Sequence, residues 1–303
     1  MDAGAAPPPG TKGVAMLPLA KILLPVDFSS RSVGAVHCAQ RLAQRFSPEI
    51  VLLHVLAPMQ YRLGDTEMGG VMLGDLYRAQ IEGLSGELEQ FQHDELAGCN
   101  VRRLVLEGDP AFRIVEFAHR EKVNLIMMPT HGHGTFRRFL LGSITAKVLH
   151  DAECPVWTGV HMAEAAVHPV ELRQVLCAVD LGPQSERALK WADWLSREME
   201  AKLTLLHVTP ACAQTPNHDD DAWRAKLRAT AEQSIERLQA KVGSQAEVML
   251  QAGDPAKAIC AAAVQTRSGA LVIARGSAAG GFGRLRTNAY AIIRQSPCPV
   301  VSV

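Results

Sequence analysis

Short apolar runs alternate with amphipathic stretches along most of this chain. The first run covers residues 20–27 and ends in Asp27, and the second covers residues 50–55. Between them, apolar residues recur at helical spacing from Val33 to Phe46. Buried strands that alternate with helices are typical of a parallel sheet covered on both faces. The pattern therefore predicts an α/β fold.

The rest of the first half continues this alternation. Asp109-Pro110 predicts a helix start, with Asp as the N-cap and Pro at the first helical position. The other predicted elements, in order, are a loop over 58–74, a helix over 76–96, strands over 101–106 and 125–128, a glycine-bearing loop, a helix from Ser143 and a last strand over 155–160.

The pattern then repeats. Asp27 and Asp180 end corresponding strands 153 positions apart, and His54 and His207 have the same separation. The Gly-Asp-Pro turn at 108–110 recurs at 253–255, and Cys-Pro-Val at 154–156 recurs at 298–300. We interpret the chain as a tandem duplication with four segments: a disordered tail over 1–16, a first copy over 17–160, a linker over 161–171 and a second copy over 172–303.

Composition narrows the classes of partner. The 303 residues suffice for two domains, and 31 Lys and Arg balance 31 Asp and Glu. A net charge of +0 favours neither nucleic acid nor an anionic membrane as partner. The start of the chain lacks the basic and apolar regions of a signal peptide, and no apolar run reaches the ~18–20 residues of a membrane helix. We therefore expect a cytoplasmic protein.

The seven cysteines are scattered and form no Cys-x-x-Cys pair. Reduced thiols are the expectation for such a set, and a zinc site lacks paired ligands.

Residues 130–143 carry the chemistry that most resembles a ligand site. They join the strand over 125–128 to the Ser143 helix through Gly132 and Gly142, and they include Arg137 and Arg138. Glycines let a backbone approach an anion closely, and a helix N-terminus attracts negative charge. Ser143 is a candidate helix cap or phosphate donor. The segment is a candidate phosphate cradle.

This segment resembles the nucleotide loop of universal stress proteins, in which Gly, two residues, Gly, nine residues, then Gly and Ser or Thr follow one another. Gly132, Gly142 and Ser143 fit, whereas Pro129 stands in place of the first glycine. The resemblance implies two tandem open five-stranded parallel-sheet domains, Rossmann-like and adenine nucleotide alpha hydrolase-like, packed as an intramolecular pseudo-dimer through their last strands. Further homodimer formation stays open.

The resemblance also implies an ATP site at the carboxyl ends of the first copy's strands. Pro25, Val26 and Asp27 would line the adenosine, with Asp27 near the ribose or a magnesium-bound water. Val55 would contact adenine. The ribose and phosphates would be flanked by Met128, His131 and Gly132. The phosphates would be held through the helix N-terminus by Gly142, Ser143 and Ile144.

Each assignment has a structural alternative. Asp27 could cap the following helix, His131 could be an ordinary loop residue, and Arg137, inferred from its charge to neutralise phosphate, could belong to a solvated face. His54 and His207 are better interpreted as hydrogen-bonded core histidines. Pro129 removes a backbone donor. In the second copy, Arg-Thr at 286–287 replaces Gly142-Ser143, so we expect that copy to bind nucleotide poorly and to pair with the first.

Three functions compete. The first is a stress-response module that binds ATP or a related adenine nucleotide and is read by a protein partner of unknown identity. The second is a nucleotide-free scaffold of the same fold. An enzyme ranks last, with slow ATP hydrolysis at most, because the sequence has no P-loop, no recognisable Ser-His-Asp arrangement and no Gly-x-Gly-x-x-Gly after either first strand. No catalytic residue is assigned.

Overall fold

The computed structural model describes residues 19–57, 70–130, 141–159, 172–210, 219–275 and 287–303. Strands and helices alternate in both copies. In the first copy they are β1 (Lys21–Pro25), α1 (Ser30–Phe46), β2 (Glu49–Leu56), α2 (Gly70–Gln90), β3 (Asn100–Glu107), α3 (Pro110–Arg120), β4 (Leu125–Met127), α4 (Ser143–Asp151) and β5 (Val156–Thr158). In the second copy they are β6 (Gln174–Val179), α5 (Ser185–Glu198), β7 (Lys202–Thr209), α6 (Asp219–Val242), β8 (Glu247–Ala252), α7 (Pro255–Gln265), β9 (Ala270–Ile273), α8 (Thr287–Gln295) and β10 (Val300–Ser302).

The strands form one continuous sheet in the order β3-β2-β1-β4-β5-β10-β9-β6-β7-β8. Pairing is parallel within each copy and antiparallel between β5 and β10, where Trp157 lies opposite Val301. The two five-stranded sheets therefore join through their last strands, which confirms the predicted fold and the intramolecular pseudo-dimer. Joining also removes two exposed sheet edges.

Helices cover both faces of the sheet because alternate strand residues are apolar on both sides. Ile22 and Leu24 pack on the face that α1 and α5 cover, whereas Leu23 and Val51 pack on the face of α3, α4, α7 and α8. Among the described helices, none is both long enough and apolar enough to cross a membrane.

An aromatic cluster fills the junction between the copies. Phe46 of α1 lies 5.1 Å from Trp194 of α5, and Trp157 of β5 lies 6.5 Å from Trp191, measured between ring centroids. Trp191 and Trp194 are themselves in edge contact at 5.7 Å. Three of these rings are buried tryptophans, so the junction resembles a domain core.

Several element boundaries differ from the sequence prediction. The helix predicted over 76–96 begins at Gly70 and ends at Gln90, because Gln92 adopts a left-handed φ of 48° and starts a series of turns. The loop predicted over 58–74 therefore ends before Gly70, and its residues 58–69 lie outside the described chain. The closing strands have three residues each and begin directly after Pro155 and Pro299, which contribute carbonyls but no N–H.

Candidate functional site

A cleft of about 140 Å³ opens at the carboxyl ends of β1, β2 and β4. β1 pairs with β2 on one side and with β4 on the other, and the cleft lies where the strand order changes direction at β1. Ligands of open α/β sheets bind at such switch points. The cleft is lined by Pro25, Val26, Asp27, Ser32, Leu53, His54, Val55, Pro110, Ile114, Met128, Pro129, Ile144 and Thr145.

Asp27 organises the turn between β1 and α1. Its Oδ1 accepts hydrogen bonds from the hydroxyls of Ser29 and Ser32, each at 2.6 Å, and from the N–H of Ser29 at 3.1 Å. β1 ends at Pro25 rather than at Asp27, because the Asp27 N–H turns to the Ser32 hydroxyl. The cap of α1 is Ser29, so the alternative that Asp27 itself caps the helix is wrong.

Phe28 next to it adopts a left-handed φ of 61°, which is unusual for a bulky residue. Its ring lies 4.8 Å from the imidazole of His54 and 5.6 Å from the ring of Phe91. Leu181 repeats the conformation in the second copy with φ 59°. Phe28 thus packs against His54, which lines the cleft.

His54 is hydrogen-bonded as the sequence analysis expected. Its Nδ1 lies 2.8 Å from the carbonyl oxygen of Val26, and His207 repeats this contact with Val179 at 2.9 Å. Both histidines nevertheless line a cleft. An Nδ1–H that donates to a carbonyl leaves Nε2 as a hydrogen-bond acceptor.

α4 begins at the cleft without a side-chain cap. Gly142 is the N-cap, with no side-chain hydrogen bond to the first turn, so Ser143 is not the cap and its alternative role as a phosphate donor stays a prediction. The chain is held there by two other bonds: Gly142 N–H donates to the Thr130 carbonyl at 2.8 Å, and Thr145 Oγ1 donates to the Pro129 carbonyl at 3.1 Å. An uncapped helix N-terminus is suited to an anion.

α3 contributes the opposite wall. Asp109 caps it by accepting from the Phe112 N–H at 2.8 Å, which confirms the predicted cap, and Asp254 of the repeated Gly-Asp-Pro turn caps α7 in the same way. The Phe112 N–H and then the Lys147 ammonium lower the pKa of Asp109. Because Lys147 belongs to α4, its 3.3 Å contact with Asp109 ties the two helices beside the cleft.

The structure brings most of the predicted site together. Six predicted residues line the cleft, namely Pro25, Val26, Asp27, Val55, Met128 and Ile144. Gly142 and Ser143 adjoin it at the start of α4. His131, Gly132 and Arg137 lie outside the described residues.

Sequence reasoning missed seven lining residues: Ser32, Leu53, His54, Pro110, Ile114, Pro129 and Thr145. Pro110 and Ile114 are one helical turn apart on a predicted helix, and that spacing was a usable signal. Pro129 was noted only as a departure from the glycine pattern.

The second copy has a larger cleft of about 350 Å³ at the equivalent place. Three lining positions carry smaller residues in this cleft, since Ala178, Ala274 and Ala289 occupy the positions of Pro25, Pro129 and Thr145. Asp180 again orders the turn, its Oδ1 accepting from the Gly182 N–H at 2.9 Å and the Ser185 hydroxyl at 3.0 Å. Weak nucleotide binding by this copy stays a prediction.

Metal-binding groups are sparse in the part of the chain that the structure describes. No cluster of three or more His, Cys, Asp or Glu side chains suited to a metal ion occurs there. Six cysteines in the described ranges are free thiols, and Cys212 lies outside those ranges. Asp27 is the one carboxylate among the described lining residues of the first cleft.

Sequence comparison relates both copies to one family. The profile of the Universal stress protein family matches residues 19–158 and again residues 171–303. A universal stress protein of Methanocaldococcus jannaschii is 32% identical over 136 residues, which are 45% of this chain and 79% of the relative. One from Mycolicibacterium smegmatis is 28% identical over 218 residues, covering 68% of this chain and 71% of the relative.

Structural comparison gives the same fold over nearly the whole length. A universal stress protein from Archaeoglobus fulgidus superposes with a TM-score of 0.68 and 24% identity, covering 93% of this chain and 97% of that one. At that identity the match concerns the fold.

Proposed function

Because this chain belongs to the universal stress protein family, we propose that its first copy binds ATP or a related adenine nucleotide. The protein would then act as a stress-response regulatory module whose surface is read by a protein partner. The observation that carries the proposal is the uncapped N-terminus of α4 at the mouth of a largely apolar cleft.

The chemistry of the walls fits the parts of a nucleotide. Val26, Val55 and Met128 offer apolar surface to a planar base. Asp27 would accept hydrogen bonds from the ribose hydroxyls, and we also propose that it contacts magnesium through a bound water. The first turn of α4, from Gly142, offers N–H groups to phosphate. Magnesium would neutralise phosphate charge when bound.

The second candidate is a nucleotide-free scaffold, and the size of the first cleft favours it. About 140 Å³ is small beside the ~300–1,000 Å³ of ordinary ligand pockets. Pro129 contributes to the restriction, since its counterpart in the larger cleft is Ala274.

The two candidate functions can be distinguished by testing whether the purified protein still carries a bound nucleotide. We expect heat-denatured protein to release an adenine nucleotide, and ATP with magnesium to raise the Tm of nucleotide-stripped protein. A bound ligand stabilises the native state by mass action. Neither released nucleotide nor a Tm shift at millimolar ATP would favour the scaffold.

A further inference from the structure

Arg275 crosses the junction between the copies and is almost completely buried, with 4% of its surface exposed. Its backbone follows β9, and its N–H donates to the Val303 carbonyl at 2.8 Å. Its guanidinium donates to two carbonyls of the first copy, that of Leu149 at 3.0 Å and that of Cys154 at 2.6 Å. A buried guanidinium of the second copy therefore donates hydrogen bonds to backbone oxygens of the first.

The Leu149 carbonyl belongs to the last turn of α4, where carbonyls have no partner within the helix. A cation at this end is favoured by the helix dipole, and hydrogen bonds from a charged donor are strong. α4 has only nine residues, and its first turn lines the first cleft through Ile144 and Thr145. The helix is thus held by Thr145 at one end and by Arg275 at the other.

The equivalent position of the first copy carries a different residue. Counting from the paired starts of β4 and β9, Thr130 occupies the position of Arg275. At the end of α8, the Cys298 carbonyl instead accepts from the Ser296 hydroxyl at 2.7 Å, within the same copy. The second copy therefore supports a helix of the first through a guanidinium, and the first copy has threonine at the equivalent position.

We infer that Arg275 is a positioning residue for the first cleft, through which the second copy sets the phosphate-holding end of α4. The inference rests on the proposed function, because it assigns phosphate to that helix end. Arg275 does not line the first cleft among the described residues, so its effect is transmitted along α4. A ligand with phosphates depends on the placement of α4, whereas adenosine depends on the walls formed by β1 and β2.

The test uses the full chain and four proteins: wild type, Arg275→Met, Arg275→Lys and Arg187→Met. Arg187 is the matched control, because its guanidinium also crosses the junction and donates to the Glu153 carbonyl at 2.7 Å, beyond the end of α4. Calorimetry gives the Kd for ATP with magnesium and for adenosine. Hydrogen exchange of the α4 amides in ligand-free protein reports helix order separately.

We expect Arg275→Met to weaken ATP binding about tenfold and adenosine binding less than twofold, with faster exchange in α4. Arg275→Lys keeps the charge but loses the two-pronged contact, so an ATP loss of about threefold is expected. Arg187→Met should match wild type. The inference would be overturned if folded Arg275→Met had the same ATP affinity and the same rate of α4 amide exchange as the wild type.

Two further outcomes are decisive as well. If Arg275→Met does not fold, the same comparison is made with Arg275→Lys, and an unchanged ratio of ATP to adenosine affinity there overturns the inference. Wild-type protein that binds neither ligand contradicts the proposed function instead. The exchange of α4 then decides the role of Arg275: faster exchange in the Lys variant supports it, and unchanged exchange overturns it.

Discussion

Asp27 and Asp180 hold the same place in the two copies, and each carboxylate orders the turn that leads from a first strand into a helix. The Oδ1 of Asp27 accepts from the hydroxyls of Ser29 and Ser32 and from a backbone N–H, and the Oδ1 of Asp180 likewise accepts from a hydroxyl and a backbone N–H. The shared role is structural. The proposed ribose contact is specific to Asp27. Comparing substitutions at the two positions therefore distinguishes an effect on turn stability from an effect on ligand binding.

Replacing each aspartate by alanine should destabilise the protein by about 1–2 kcal/mol, because the hydroxyls of the buried residues Ser29, Ser32 and Ser185 lose their acceptor. Only Asp27→Ala should also weaken ATP binding. Urea unfolding measures the first effect and calorimetry the second. Equal loss of ATP affinity in Asp180→Ala would show that Asp27 has no special contact with the ligand.

Pro129 distinguishes the small cleft from the large one. Pro129→Ala, which imitates Ala274, should enlarge the first cleft and strengthen ATP binding by about tenfold, the range of one methylene in a pocket. The Kd of the variant measures this directly, with its Tm as the control for folding. A weaker ATP complex would mean that the proline ring contacts the ligand favourably.

At the scale of elements, helix starts encoded by local chemistry were predictable. Asp109-Pro110 and Asp254-Pro255 place a cap and a rigid φ side by side, and both helices begin there. The start of α4 was predicted to the residue, but its cap was not, because Ser143 resembles a cap by residue type. The end of α2 was missed because Gln92 takes a left-handed φ that its residue type does not indicate.

Glu186 ties α5 to the last turn of α6. Its carboxylate contacts Lys190 at 2.7 Å and Lys241 at 2.5 Å, and these hydrogen bonds, from Lys190 first, lower its pKa to about 2. A depressed folded-state pKa gives stability that is present above the unfolded pKa of about 4.5 and lost as pH falls towards 2.

Glu186→Gln should therefore lower the urea midpoint at pH 7 and have little effect near pH 2. Urea titrations of both proteins at pH 7, 4 and 2 measure the difference. Glu232→Gln is the control, since Glu232 pairs with Arg228 within α6 alone. A difference between wild type and Glu186→Gln that does not shrink at low pH would contradict this explanation.

At the scale of the whole molecule, the duplication was predictable from the sequence, whereas the joining of the two sheets through their last strands was implied by the family resemblance. The constant separation of Asp27 from Asp180 and of His54 from His207 predicted two equivalent sheets, and the β5–β10 pairing confirms their joining. The asymmetry of the junction was not predictable. Trp191 and Arg275 have no counterpart of the same type in the first copy. Trp191 contacts a residue more than 30 positions away in the sequence, and Arg275 contacts one more than 120 positions away.

The exposed edge that β5 would present without its partner gives a prediction about the first copy. Residues 1–165 expressed alone should form a homodimer, because β5 of a second molecule can replace β10. Sedimentation equilibrium measures the mass. A stable monomer at all concentrations would show that β5 pairing requires the tryptophans of the second copy.

The most direct measurement of the central proposal is a calorimetric titration of the full chain with ATP and magnesium, beside Gly142→Arg. The variant puts an arginine side chain at the uncapped start of α4 and imitates the sequence of the second copy, where Arg-Thr at 286–287 replaces Gly-Ser. We predict saturable binding near one nucleotide per chain, lost in the variant. Equal binding by both proteins, or none by wild type, would contradict a nucleotide site at this helix.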